Sequence, residues 1–315
     1  MEEDHDGEDR ARACARPGRP CRLFGPYHGP MLLLVDLDGV VYRGADPVPG
    51  VATVLGERVA AGDVVLYCTN NSSRHRSEYL AQLEALGAPV RPEWIFTSAR
   101  ATALLLREAD PPVRLAMVIG GVGLVRELRD AAIRTVPPTP RGLAAGPDVV
   151  VAGIDRRLSY GRLAVASQAI REGARFIVTN RDPVFPVPEG LLPGAGSIVA
   201  ALEVASRRGP DLVVGKPEPV LFEAAVRSVG ARPADAVVVG DGALTDIPAA
   251  ARLGARSVLM LTGVTSRAEA AALPPGHRPT LVAEDAAGLR RALDRLATPG
   301  RAAARAGGVT EGDAA

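Results

Sequence analysis

Short apolar runs alternate with helical patterns along most of this chain, and that alternation constrains the fold more than any other feature. Strand-like runs fall at Leu32–Asp36, Val64–Thr69, Leu115–Ile119, Val149–Ala152, Phe176–Thr179, Leu212–Val214, Ala236–Gly240 and Ser257–Leu261. Each is short, unbroken and rich in Val, Leu or Ile, as expected of strands covered on both faces. Helical periodicities such as Glu78–Leu86, Leu163–Arg171, Pro219–Val229 and Gly288–Leu296 lie between them. Strand–helix alternation predicts an α/β protein with a doubly wound parallel sheet.

Spacing adds a second unit. Thr69 and Lys216, each next to a strand-like run, stand 147 positions apart. One helix–strand–helix passage before the next core strand takes roughly 40–60 residues, since a βαβ unit alone is about 30 or more, so close to 100 remain, enough for a separate α/β unit. We expect that unit at residues 110–209, inserted into a core made of 31–109 and 210–297. Residues 1–30 and 298–315 lack periodic apolar pattern and read as a disordered leader and tail.

Composition excludes several classes. The 37 basic and 36 acidic residues leave a net charge of +1, so no nucleic-acid or membrane partner is expected from electrostatics. Aromatic residues are only 3%, too few for a base-stacking platform. No apolar run approaches the roughly 20 residues of a membrane span. Cys14, Cys21 and Cys68 make neither a disulfide framework nor a zinc site, and the first residues lack the apolar core of a signal peptide. The expected compartment is therefore the cytoplasm. His5, His28, His75 and His277 show no metal-ligand spacing.

In open parallel sheets, ligands bind outside the carboxyl ends of the strands. The first run ends DLDG. Of its two carboxylates, Asp36 can attack as a nucleophile or hold a metal, and Asp38 can transfer a proton while Gly39 allows the turn. The plain alternative is an Asp pair capping a loop. The second run ends in Thr69, Asn70 and Asn71, whose hydroxyl, amides and backbone N–H groups suit a phosphate; helix capping is the alternative. Lys216, in GKPEP, is the only lysine beside 36 arginines, which points to a position needing a compact ammonium. Pro217 fits the first turn of the next helix. A fourth run ends in Asp241, followed by Asp246, a hard-oxygen pair suited to Mg²⁺. Together these groups fit phosphoryl transfer, where positioning and electrostatics do most of the protein's work.

Two glycine-rich stretches are decoys. GGVGLVREL fails as a dinucleotide fingerprint because Arg126 stands where the third glycine is due. LLPGAGSIVAALE lacks the Gly-Lys-Ser/Thr of a phosphate loop, and Ser197 reads as lying near a helix start.

The ordered segments DLDGVVYRG, TNNSSR, GKPEP and GDGALTDI resemble the haloacid dehalogenase (HAD) superfamily. Within it the chain is similar to the subfamily IIA of 4-nitrophenyl phosphatase, phosphoglycolate phosphatase, pyridoxal phosphate phosphatase and NagD-like enzymes. VIGGVGLVREL, VVAGIDRRLSYGRL, GARFIVTNRDPVFP and GLLPGAGSIVAALE look like that subfamily's cap, so the resemblance runs from about Leu32 to Leu296. It implies a Rossmann-like core with a large inserted α/β cap, acting as a Mg²⁺-dependent phosphomonoesterase on a small phosphorylated metabolite. By resemblance Asp36 becomes the aspartyl phosphate and Asp38 is the general acid/base. Thr69 and Asn70 hold phosphate, and Lys216 bridges nucleophile and phosphate. Asp241, Asp36 and the Asp38 carbonyl bind Mg²⁺, with Asp246 supporting the metal. Asn180, Arg181 and Asp182 follow a buried cap strand, where loops carry contacts, and are expected to set substrate preference. The resemblance implies that this segment faces the active site, and Arg181 can meet an anionic leaving group, a solvent-exposed arginine being the alternative. Relatives also imply pairing of two copies through the cap. Gly242 departs from the subfamily's usual Arg or Asn. Two alternatives stay open: a phosphate-ligand-binding protein with little activity, and a phosphomutase-type phosphotransferase.

Overall fold

In the computed structural model, the residues described are 29–187 and 190–297. Most of the expected leader, the whole of the tail, Cys14, Cys21, His5 and His28 lie outside them.

Two parallel sheets carry the structure. The larger has six strands in the order Leu281–Ala283, Arg256–Met260, Ala236–Gly240, Leu32–Val35, Val64–Thr69 and Ile95–Thr97. All its pairings are parallel, and Leu32–Val35 lies between Ala236–Gly240 and Val64–Thr69. Period-two alternation explains why this strand is apolar throughout. Leu32 and Leu34 enter one core cluster, Leu33 and Val35 the other, and all four are fully buried. Each such side chain contributes about 1.5–3 kcal/mol by leaving water. Strand order reverses at Leu32–Val35, so crevices open at its carboxyl end.

The second sheet has five parallel strands, Leu212–Val213, Arg175–Val178, Val149–Ala152, Leu115–Ile119 and Arg134–Val136 in spatial order. Its order also reverses, between Leu115–Ile119 and Val149–Ala152. Its outer strand, Leu212–Val213, lies past residue 209, where the inserted unit was expected to end. One face of this sheet joins the larger sheet's cluster through Ala116, Val118, Val149 and Val151. The other face is closed by helices Tyr160–Arg171 and Ala195–Ser206.

Caps explain several helix starts. Thr97 and Ser159 accept from the N–H of Arg100 and Arg162, which opens helices Ser98–Glu108 and Tyr160–Arg171. One expectation fails here. The helix after Lys216 begins at Val220 with Pro219 as its N-cap, so Pro217 precedes it. Residues 215–218 instead form a turn closed by Glu218 N–H donating to the Gly215 carbonyl at 3.1 Å, which delays the helix.

Candidate active site

The four sequence signals converge at the carboxyl end of the six-stranded sheet. Asp36 follows its strand directly and still extends the ladder, its N–H donating to the Val239 carbonyl at 2.8 Å. Lys216 reaches in from the turn before helix Val220–Val229. Its ammonium lies 2.7 Å from Asp36 Oδ1 and 2.7 Å from Asp246 Oδ1. The Cys68 carbonyl, at 3.5 Å, is its third acceptor. Three donors thus meet three oxygens in different directions, which a compact ammonium can do and a planar guanidinium cannot. Lys216 is only 3% exposed. Burial alone would lower its pKa, but Asp246 and Asp36 more than reverse that and hold it above the ordinary lysine value.

Asp241 ends the neighbouring strand. Its Oδ2 accepts from Val264 N–H at 2.7 Å, and its carbonyl accepts from the Thr265 hydroxyl at 2.5 Å. Asp246 opens helix Asp246–Leu253, its Oδ2 accepting from Gly242 N–H at 3.0 Å. Ligand oxygens of Asp36, Asp241 and Asp246 lie within 4.8 Å of one another, against a single ammonium. The shortfall of positive charge has a consequence. Burial, with Asp246 alongside, pushes the Asp241 carboxyl up to about 6. Burial likewise raises Asp36 well above the usual carboxylate range, against the pull of Lys216. An excess of buried negative charge on oxygen donors alone fits a hard divalent cation such as Mg²⁺, not a soft metal.

Gly39 shapes the rim. Its φ of 78° lies in the left-handed region, and a Cβ there would stand 2.2 Å from Asp241 Oδ2. Only glycine satisfies both demands, and Asp38 is left exposed at the mouth.

Gly242, the departure from the family pattern, also has a local reason. A Cβ there would meet the Thr245 hydroxyl at 2.0 Å. Ala243 N–H donates to the Thr265 hydroxyl at 3.0 Å, so that threonine ties two points of the 241–243 loop without a side chain at 242. Sequence reading missed Thr265. It lies four residues past the Ser257–Leu261 run, with no carboxylate to mark it.

The segment after Thr69 differs from expectation in detail. It does not cap the next helix: His75 caps Arg76–Ala85. The Asn70 side chain is fully engaged. Its Oδ1 accepts from Lys216 N–H at 2.8 Å, and its Nδ2 donates to the Lys216 carbonyl at 2.9 Å and to both Asp182 oxygens at 3.1 Å. Asn70 therefore has its backbone N–H, not its amide, to turn toward a phosphoryl oxygen. Asn71 Oδ1 accepts from Ser73 N–H and hydroxyl, holding the loop.

The Asn180–Asp182 segment splits. Asn180 Nδ2 donates to the Asn70 carbonyl at 2.7 Å, and Asp182 takes the Asn70 amide, so both brace the loop that follows Thr69. Arg181 turns away to Glu203 at 2.8 Å. Ser197 lies in the first turn of helix Ala195–Ser206, as its sequence reading held. Cys68 is fully buried, and burial raises its thiol, so it is no nucleophile.

A second metal-capable group, His75 with Glu127 and Asp130, joins the two sheets' helices. Its carboxylates are already answered by Arg76, which pairs with both Glu127 and Asp130.

Comparison with known proteins agrees with this geometry. The family profile described as haloacid dehalogenase-like hydrolase matches residues 33–134, and a HAD-hydrolase-like profile matches 213–289. D-glycerol 3-phosphate phosphatase of Mycobacterium tuberculosis is 38% identical over 265 residues, covering 84% of this chain and 72% of that protein. Human chronophin is 39% identical over 250 residues, covering 76% and 84%. The p-nitrophenyl phosphatase from Archaeoglobus fulgidus superposes with a TM-score of 0.76 at 31% identity, over 83% of this chain and 98% of that one. The mycobacterial glycerol phosphate phosphatase, in a crystal structure with magnesium, gives 0.73 at 38% identity over 82% and 75%. With a Rossmann-like core, an inserted α/β cap and an acidic cluster at the core's switch point, the chain belongs to the haloacid dehalogenase-like hydrolases.

Proposed function

We propose that the chain is a Mg²⁺-dependent phosphomonoesterase for a small phosphorylated metabolite, working through an aspartyl phosphate on Asp36. The observation that carries this is the Lys216 ammonium held 2.7 Å from both Asp36 and Asp246, with Asp241 in the same cluster. Asp36 attacks phosphorus and the ester P–O bond breaks. Asp38, at the mouth, gives its proton to the leaving oxygen. Water then attacks the aspartyl phosphate, Asp38 takes the water's proton, and the Asp36 carboxylate is released with phosphate. The Thr69 hydroxyl and the Asn70 N–H hold phosphoryl oxygens throughout, and Lys216 turns toward them the donor it otherwise gives the distant Cys68 carbonyl at 3.5 Å, in a site preorganised before charge develops. Asp36, Asp241 and the Asp38 carbonyl, with Asp246 in support, would hold Mg²⁺, which would supply further positive charge to those oxygens.

We assign 31–109 and 214–297 to the core and 110–213 to the cap, moving the expected boundary at 209 past Leu212–Val213 because that strand pairs with Arg175–Val178 in the five-stranded sheet. Pairing of two copies through the cap and a cytoplasmic setting complete the reading; among the described residues no helix is long and apolar enough to cross a membrane.

The test is hydrolysis of 4-nitrophenyl phosphate with and without Mg²⁺, beside Asp36→Asn. We expect turnover that EDTA abolishes, and a loss in Asp36→Asn of on the order of 10⁴-fold or more, because the covalent path disappears. An Asp36→Asn protein keeping a tenth of the rate would refute the assignment.

A further inference from the structure

A cleft of about 500 Å³ opens outside the carboxyl ends of Leu115–Ile119 and Val149–Ala152. This is the switch point of the five-stranded sheet, where an open parallel sheet takes its ligand. Asn71 and Ser73 form the facing wall, one and three residues past Asn70, so the cleft adjoins the phosphate loop. Four arginines line it, Arg74, Arg156, Arg157 and Arg162, with Asp155 as their one acid.

Charge is unevenly answered there. Asp155 is buried and closed by Arg162 at 2.5 Å, and its other oxygen accepts from Arg157 N–H at 2.8 Å. Arg74 has Glu78 at 3.5 Å, donates to Gln82 at 2.7 Å and lies over the Tyr79 ring. Arg156 and Arg157 have no carboxylate partner among the described residues, and both are exposed. Arg156 stacks over Phe185 at 5.7 Å, a contact that leaves its N–H edges free. The turn beneath the pair is fixed, since Leu158 N–H also donates back to the Asp155 carbonyl at 3.2 Å. A plain surface pair would be solvated on a mobile loop. This one is preorganised over a ligand-sized cleft beside the phosphate loop.

We propose that Arg156 and Arg157 select phosphomonoesters whose leaving group carries a second anion, a carboxylate or another phosphate. The inference rests on the phosphatase reading and names its substrate class. Charge-assisted, bidentate contacts from guanidinium to such an anion are the strong kind of hydrogen bond, whereas a neutral leaving group would leave both arginines unanswered.

The experiment uses matched pairs: 3-phosphoglycerate against glycerol 3-phosphate, and fructose 1,6-bisphosphate against fructose 1-phosphate. It compares the wild type with an Arg156→Gln/Arg157→Gln double variant, and 4-nitrophenyl phosphate reports basal chemistry. We expect the wild type to favour the partner that carries the second anion in at least one pair by about tenfold in kcat/KM. The double variant should lose that preference and keep 4-nitrophenyl phosphate turnover within about twofold. No preference in either pair, a preference that survives the double variant, or an equal loss on 4-nitrophenyl phosphate would each overturn the proposal. Wild-type protein inert toward every ester would overturn the phosphatase reading instead. Calorimetric binding of the same pairs to Asp36→Asn, with and without the double substitution, then still decides whether these arginines read the second anion.

Discussion

At the carboxyl end of the core sheet, the charges of Asp36, Lys216, Asp241 and Asp246 are buried in one cluster, with Lys216 paired to both Asp36 and Asp246. At the carboxyl end of the cap sheet, the guanidiniums of Arg156 and Arg157 stand in solvent with no carboxylate partner among the described residues. Both ends sit at a reversal of strand order, so topology offers each as a ligand site. The difference is in what each must do. Bond-making at phosphorus needs charges fixed before the substrate arrives, and burying them costs stability that only close pairing offsets. Recognising a leaving group needs reach and free donors, which exposed arginines on a pinned turn supply.

The sharpest way to break this comparison is at Lys216. Lys216→Ala leaves three buried carboxylates facing one another with no ammonium. We expect kcat to fall by about 10²–10³-fold, the size of loss seen when a fixed charge-stabilising donor is removed. Lys216→Arg should be nearly as damaging, because a planar fork cannot meet Asp36 Oδ1, Asp246 Oδ1 and the Cys68 carbonyl together. Thermal melts with and without Mg²⁺ separate lost chemistry from lost folding, since the divalent ion offsets the same negative charge. Near-normal kcat/KM in Lys216→Arg would mean the buried end tolerates the flat cation that fills the rest of this chain.

A smaller effect is expected where the two regions touch. Asp182 accepts the Asn70 amide with both oxygens, and Asn70 grips Lys216 on both sides of its backbone. Asp182→Ala removes one of the residues that anchor Asn70 and leaves Lys216 and Asn180 in place, so kcat should drop by roughly tenfold, about 1.4 kcal/mol. The loss should be uniform, from acetyl phosphate to the bulkiest ester, because Asp182 positions the phosphate loop. That departs from the expectation that the Asn180–Asp182 segment sets substrate preference. A loss confined to bulky esters would restore it.

The core end was legible in the sequence and the cap end only partly so. Five-residue apolar runs buried on both faces announce themselves, and a polar residue ending one has few structural reasons to be there. Asp36, Thr69 and Asp241 were found that way. The edge strands Ile95–Thr97, Arg134–Val136 and Leu281–Ala283 are three residues each, too short to show any period. Long-range partnerships left no local trace: Asn70 and Asp182 are 112 positions apart. Arg156 and Arg157 were hidden for another reason. In a chain with 36 arginines, only the geometry tells which guanidiniums lack a partner.

Arg181 makes the smallest prediction and tests that last point. From sequence it was the arginine expected to meet an anionic leaving group. Its guanidinium instead pairs with Glu203 on helix Ala195–Ser206, with Arg181 47% and Glu203 24% exposed. A pair that open to water contributes about 0–1 kcal/mol, so Arg181→Ala should lower Tm by less than about 4 °C. Its kcat/KM should stay within about twofold of wild type on neutral and anionic esters alike, because the side chain already has its counter-ion elsewhere. Measured beside Arg156→Gln/Arg157→Gln on the same matched pairs, it sets a partnered arginine against unpartnered ones. If Arg181→Ala erased a preference for anionic leaving groups while the double variant kept it, Glu203 would have to release Arg181 on substrate binding. Selection would then belong to the segment that also braces the phosphate loop, and the division between a buried chemical end and an exposed selecting end would fail.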